Sequence, residues 1–153
     1  MPVKPGSFGA WLRELPLRAG QQSVYLYDGR EKTNQSAHYA ILDVDVGDRD
    51  LQQCADAVMR LRAEFLYAGP CADEIAFNFT SGHPTRWRDW RSGMQPTVSG
   101  SAVTWRKTAE ADASYRNFRA YLETVFMYAG SASLERELVS VPDTADLRVG
   151  DVF

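Results

Sequence analysis

One cysteine and one histidine in this sequence have the residue types and surroundings that nucleophilic chemistry requires. Cys54 lies in the stretch DLQQCADAVMRLRAEFLYAG, in the first turn of a predicted helix. Free N–H groups and the dipole at a helix start stabilise a thiolate, which attacks a carbonyl carbon once a histidine accepts the thiol proton. His38, at the start of the preceding strand, is the histidine available as that base.

Each of these residues also has a purely structural interpretation. Cys54 shares a three- and four-residue spacing with Leu51 and Val58, and free cysteine is among the most buried residue types. His38 fits a half-exposed position in a strand, and His83, between Gly82 and Pro84, fits a solvated loop. The residues alone leave both interpretations open.

A second candidate site is the mixed aromatic and basic segment RWRDWR. Trp87 and Trp90 share a helical face, between Arg86 and Arg91, and Trp105 occurs later in the chain. Such rings stack on sugars, and arginines hold anionic groups, so a non-catalytic module that binds a glycan or a protein partner is the alternative function. The structural alternative is that the two indoles pack on the core while the arginines lie in water.

Metal and cofactor chemistry have little support in the sequence. The acidic residues Asp43, Asp45, Asp48 and Asp50 offer oxygen ligands for calcium but lack the EF-hand spacing, and strand alternation before a helix cap explains them better. We expect no metal and no cofactor. Cys54 and Cys71 flank one helix, roughly 25 Å apart at about 1.5 Å per residue, so we expect two free thiols.

Composition limits the classes of partner. The chain has 153 residues, with 44% hydrophobic residues, 24% charged residues and a net charge of −3, as is typical of a globular domain without a general attraction to nucleic acid. No apolar run has the length of a signal peptide or a membrane span. As written, the sequence predicts a cytoplasmic protein, unless its true start lies upstream.

The pattern of elements predicts one α+β domain over residues 1–153, with a small, mostly antiparallel sheet packed on two long helices. Predicted helices begin at Ser7, at Asp50 (as N-cap, with Gln53 completing a capping box), at Ala113 and at Ser131 or Ser133. The other predicted elements are strands at Ser23–Tyr27, Ala37–Val46, Asp73–Phe79 and Val103–Trp105, helical turns at Arg86–Arg91, a polar loop at Gln95–Ser101, and a turn that leads into a strand at Leu147–Phe153.

Several segments together resemble an uncharacterised bacterial family, number 4846 of the domain-of-unknown-function series. The main one is the motif from Asp50 to Glu64. The others are Trp11-Leu12-Arg13, Leu15-Pro16-Leu17, Tyr27-Asp28-Gly29, Phe77 to Gly82, Phe126 to Gly130 and Gly150-Asp151-Val152-Phe153. A wider resemblance, in architecture, is to the papain-like NlpC/P60 cell-wall peptidases. It implies a cysteine amidase or peptidase with a papain-like core, acting on cell-wall peptides. In permuted members of that group a histidine strand precedes the cysteine helix, which is the place of His38 here.

The family resemblance also implies how related chains begin and end. Family members continue past the Gly-Asp-Val-Phe segment into a strand with a histidine, so we expect a C-terminally truncated chain with little or no activity. They are typically secreted or lipid-anchored, which implies the cell envelope if the true start lies upstream. An unfinished strand at Val152-Phe153 predicts a strand-pairing partner, or a dimer, at this edge.

Overall fold

The computed structural model describes residues 2–20 and 23–152. Contacts within the chain divide it into two compact units: Gln53–Ser140, here called the central unit, and the described residues on either side of it, called the flanking unit. The prediction of a single domain over residues 1–153 stays a prediction beside this division.

The flanking unit begins with helix α1, Phe8–Arg13. Its N-cap is Ser7, whose hydroxyl accepts a hydrogen bond from the Ala10 N–H at 3.3 Å. The predicted capping residue is therefore confirmed, because a short hydroxyl side chain satisfies one of the N–H groups that the first turn leaves free. The helix ends at Arg13.

The strand predicted at Ser23–Tyr27 is reduced to one isolated bridge, between Tyr25 and Glu31. A tight turn lies beside it: the Gly29 N–H donates to the Leu26 carbonyl at 3.0 Å, and Gly29 has a φ of +82°. The turn therefore forms, but the segments on either side of it pair only at the isolated bridge between Tyr25 and Glu31.

The strand predicted at Ala37–Val46 is wrong. Leu42 forms an isolated bridge with Leu17, and Leu42 and Val46 are exposed. Alternating residues specify which side chains share a face, but a ladder also needs a partner segment of matching length. This segment pairs with the rest of the chain only briefly, at the bridge between Leu42 and Leu17.

The central unit contains the longer elements. Its helices are α2 (Cys54–Ala68), α3 (Trp87–Arg91), α4 (Tyr115–Tyr128) and α5 (Ser131–Glu137), with a 3-10 turn at Ala72–Glu74. Its strands are β1 (Ala76–Asn78), β2 (Pro84–Arg86), β3 (Met94–Ser99) and β4 (Ala102–Lys107). The helices predicted at Arg86–Arg91, Ala113–Ala129 and Ser131 are confirmed within a few residues.

Helix α2 begins later than the sequence predicts. Its N-cap is Gln53 instead of Asp50, and Asp56, three residues on, accepts the Gln53 N–H at 3.0 Å. The N-cap role predicted for Asp50 therefore belongs to Gln53, and Asp56 has the capping-box role that was predicted for Gln53. At the other end Gly69 is the C-cap.

The later start changes which face of α2 is buried. The buried residues are Ala55, Asp56, Met59, Arg60, Ala63 and Leu66. The predicted stripe through Leu51, Cys54 and Val58 is wrong, because Cys54 is exposed. Apolar residues at 55, 59 and 63 define the true packing face at four-residue spacing.

The strands form two separate antiparallel pairs, β1 with β2 and β3 with β4, instead of the one sheet expected. The predicted polar loop at Gln95–Ser101 is wrong: most of it is β3, which pairs with β4 from Met94–Lys107 to Ser99–Ala102. Pro96 discouraged a strand assignment, yet a two-stranded hairpin has free edges where proline is tolerated. The α+β class is confirmed.

The C-terminal part of the flanking unit has a 3-10 turn at Thr144–Asp146 and the predicted turn after Leu147. The Asp151 N–H donates to the Arg148 carbonyl at 3.1 Å, and Gly150 has a φ of +108°. Phe153, the end of the predicted edge strand, lies outside the described residues.

Candidate functional site

The Cys54 thiol lies at the first residue of α2 and is exposed. Gln53 before it is extended, with φ −96° and ψ −163°, so the chain enters the helix directly at the cysteine. The first N–H groups of any α-helix have no acceptor within the helix, and the dipole places positive potential there. The exposed cysteine therefore lies at the positively polarised end of α2.

Asp56 is the functional candidate that sequence reasoning missed. It is 8% exposed, and its Oδ2 accepts the Gln53 N–H at 3.0 Å. Its Oδ1 is buried and has no hydrogen-bond partner among the described residues. Burial raises the pKa of this carboxyl, while hydrogen bonds from the backbone of Gln53 and of Asp56 itself oppose the rise. The sequence does contain the signal, an acid three residues after Gln53 as a possible N-cap. The capping box that begins at Asp50 was preferred because aspartate is a better N-cap than glutamine.

His38 belongs to the flanking unit, whereas Cys54 belongs to the central unit. The histidine is partly buried, and its Nδ1 is buried without a hydrogen-bond partner in the described part of the chain. The pairing of His38 with Cys54 stays a prediction.

His83 lies in the turn between β1 and β2. Its Nδ1 is 3.1 Å from the Ser81 hydroxyl, and the Phe79 N–H donates to its carbonyl at 2.9 Å. The predicted loop position is confirmed, although the residue is partly buried. A serine and a histidine two residues apart in a tight turn stabilise that turn, which accounts for the contact without chemistry.

The two tryptophans of RWRDWR lie in the core of the central unit. Trp87 is 1% exposed and Trp90 is 8% exposed, and the Trp90 indole N–H donates to Asn117 Oδ1 at 2.9 Å. Their rings contact other aromatic rings: Trp87 lies 5.4 Å from Phe118 and Trp90 lies 5.9 Å from Tyr121. The expected aromatic surface is therefore missing at both positions, because ring packing in the core uses the faces that a ligand would need.

The other residues expected on that surface are Trp105, Arg86 and Arg91. Trp105 is partly buried on β4, opposite Pro96. Arg91 pairs with Asp73 at 2.7 Å, and Arg86 lies 3.9 Å from Asp89. These arginines are partly exposed and have acidic neighbours, so ordinary surface ion pairs describe them.

A buried ion pair on α2 was not predicted from the sequence either. Arg60, 3% exposed, donates its Nε–H to Glu64 at 2.7 Å, and the Tyr115 hydroxyl donates to the same carboxylate oxygen at 2.8 Å. This contact links α2 to the first residue of α4. The spacing of four residues was visible in the sequence, but the burial of the arginine was not.

The acidic run makes local contacts. Asp43 pairs with Arg18 at 3.3 Å, and Asp45 accepts the Gly47 N–H at 2.9 Å. Across the described residues, no cluster of three or more His, Cys, Asp or Glu side chains has the arrangement of a metal site.

Cys71 is a free thiol, like Cys54, so the prediction of two free thiols is confirmed. Cys71 lies just before the 3-10 turn, where a hydrogen bond to Glu74 and the charge of that carboxylate raise the pKa of the thiol. Its neighbourhood therefore opposes a thiolate, unlike a helix start.

Helices that could cross a membrane are absent from residues 2–20 and 23–152. None of the helices there combines the length and apolar character that crossing a bilayer demands.

Fold and site together define a small α+β protein with an exposed cysteine at the start of its longest helix. Comparison with family models matches one family, the domain of unknown function (4846), over residues 1–153, and the chain belongs to this family. The resemblance inferred from the cysteine motif is thereby confirmed. No curated protein matches the chain. No solved structure matches it either.

Proposed function

We propose that this protein is a cysteine amidase or peptidase of papain-like type, with Cys54 as the nucleophile. The observation that carries the proposal is the exposure of the Cys54 thiol at the first residue of α2. Free cysteine is among the most buried residue types, whereas the packing face of α2 passes beside Cys54 without including it.

The reaction begins with transfer of the thiol proton to a histidine, for which His38 is the candidate. The thiolate attacks the carbonyl carbon of an amide, and the negative charge that develops on the oxygen is stabilised by a backbone N–H at the start of α2. The tetrahedral intermediate then collapses: its C–N bond breaks, the imidazolium donates its proton to the leaving amine, and the acyl group stays on Cys54 as a thioester. Water then hydrolyses the thioester and releases the acid and the free thiol.

The substrate class is inferred from this chemistry and from the resemblance. An amide carbonyl is the group that such a site attacks, and cell-wall peptides of bacteria are the source that the papain-like resemblance implies. The rival function, glycan or protein binding through an aromatic surface, loses support because Trp87 and Trp90 are buried.

The first experiment measures thiol reactivity, because it requires neither a known substrate nor turnover. The folded protein is treated with iodoacetamide across a range of pH, and each cysteine is followed by mass spectrometry. We expect Cys54 to react faster than Cys71 at each pH, because it is exposed at a helix start. Cys71 is the internal comparison and should react only at higher pH, because Glu74 raises its pKa.

Two outcomes decide the proposal. If Cys54 reacts early and Cys71 does not, the helix start holds an accessible thiolate, and peptide amides are then tested with the wild type, Cys54→Ser and His38→Ala. Loss of turnover in both variants, with the circular dichroism spectrum unchanged, supports the assigned roles. If Cys54 stays unreactive until denaturant is added, the thiol is not a nucleophile and the proposal fails.

A further inference from the structure

The start of α2 contains a second ionisable group besides the thiol. Asp56 lies two residues after Cys54, and its side chain turns back to accept the Gln53 N–H, so its carboxyl lies at the same helix start. The residue is more than nine-tenths buried, and Oδ1 has no partner among the described residues. A buried carboxyl with one bonded and one unbonded oxygen is an unusual cap, since a solvated carboxylate would serve a helix start equally well.

We infer that Asp56 is a positioning residue for the Cys54 thiol: one oxygen holds the backbone before the cysteine, and the charge on the carboxyl controls how much thiolate the helix start stabilises. The inference rests on the proposed function, because it concerns the same nucleophile. A carboxylate in the first turn interacts with the helix dipole itself and repels a neighbouring thiolate. A neutral carboxyl does not repel the thiolate, so the positive potential of the helix start then stabilises the thiolate more strongly.

Other charged groups on and around α2 have different partners. Arg60 and Glu64 pair with each other and contact Tyr115 of α4, and Arg62 lies over the Phe65 ring. In the 3-10 turn Asp73 pairs with Arg91 and Glu74 lies beside Cys71, while on α5 Glu137 accepts the Asn78 N–H. Burial and backbone hydrogen bonds act on Asp56, and none of these charges is among the causes of its pKa shift.

The test compares the wild type with Asp56→Asn, which keeps an oxygen for the Gln53 N–H and removes the charge. Dipyridyl disulfide is the probe, because it reacts with thiolates even in acid, and Cys54 is followed between about pH 4 and 8. Glu135→Gln, on an exposed position of α5, is the matched control that removes one negative charge elsewhere in the same unit.

We expect Asp56→Asn to raise the Cys54 rate about two- to fivefold near neutral pH. The ratio of variant to wild-type rates should fall toward one in acid, where the wild-type carboxyl takes up its own proton. Glu135→Gln should behave like the wild type throughout. A residue that only supports the fold would change the rate by a constant factor or not at all.

The failures of the two hypotheses are distinguishable. A reactive wild-type Cys54 with a rate ratio that does not vary with pH overturns the role of Asp56 and leaves the nucleophile intact. A wild-type Cys54 that reacts only in denaturant overturns the proposed function itself. If Asp56→Asn does not fold, the wild-type profile provides the test: a departure from one ionisation in the acid range supports the inference, and a single ionisation overturns it.

Discussion

The Tyr121 hydroxyl donates a hydrogen bond to the Thr85 carbonyl at 3.1 Å, and both residues are 0% exposed. The bond joins α4 to β2 in the interior of the central unit, where the Trp87 ring lies 5.7 Å from the Tyr121 ring. A phenol contributes a large apolar ring to such a core and satisfies one buried carbonyl with the same side chain. The aromatic core therefore depends on a polar contact as well as on packing.

Replacement of Tyr121 by phenylalanine should lower the free energy of unfolding by about 1–3 kcal/mol, because the Thr85 carbonyl loses a partner that water cannot replace. Urea denaturation followed by tryptophan fluorescence measures the loss. Tyr39→Phe is the matched control and should leave the midpoint unchanged, since Tyr39 is fully exposed. Equal midpoints for the two variants would contradict the role given to this bond.

Alkaline titration should reveal Tyr121 as a tyrosine that does not ionise in the folded state. Burial raises its pKa, and the charges of Glu137 and Asp89 add to the rise. Since the folded pKa lies above the unfolded value of about 10, the contribution to stability is full below about pH 10 and is lost as the pH rises further. Ultraviolet absorbance at increasing pH should show one tyrosine ionising only with unfolding. That late phase should disappear in Tyr121→Phe, and its persistence there would assign it to another residue.

Replacement of Arg60 by methionine should destabilise the fold by about 2–4 kcal/mol, because the Glu64 carboxylate keeps its partly buried position and loses its cation. The side chains of the pair are 4% and 18% exposed. Chemical denaturation of Arg60→Met, Glu64→Gln and the double variant forms a thermodynamic cycle that isolates the pair. Additive losses would show that the two charges do not interact.

Gly93 is the glycine at which a side chain should be least tolerated. Its φ is +98°, and a Cβ there would overlap the carbonyl oxygen of Ala109. Gly93→Ala should cost more than about 2 kcal/mol, since both backbone strain and overlap oppose it. Gly100→Ala is the control: φ is +59°, nothing lies within 4 Å of the added Cβ, and the cost should be about 1 kcal/mol. Denaturation midpoints for the two variants test the difference.

The sequence alone determined the elements that depend on local interactions. Ser7 caps α1, and Gly29 and Gly150 form turns at positive φ. Each of these features is decided within a few residues by a side-chain hydrogen bond or by the conformational freedom of glycine. Family membership could also be inferred from the sequence, because the motif from Asp50 to Glu64 is a local pattern.

Tertiary structure decided which of two plausible local patterns was used. The segment 37–46 alternates like a strand but found only a short partner at Leu17, and Gln95–Ser101 looks like a loop but pairs with β4. Strand formation requires hydrogen bonds to a distant segment, and no window of sequence contains that segment.

The candidate site shows the same division. The sequence indicated Cys54 and a helix start, but two registers of apolar residues competed for the packing face of α2. Burial of Ala55, Met59 and Ala63 selected one of them, which left Cys54 exposed and Asp56 buried in the first turn. The residue types and their spacing are properties of the chain itself. Which of them meet water and which meet the core was settled only when distant elements packed on the helix, because burial is a property of the assembled fold.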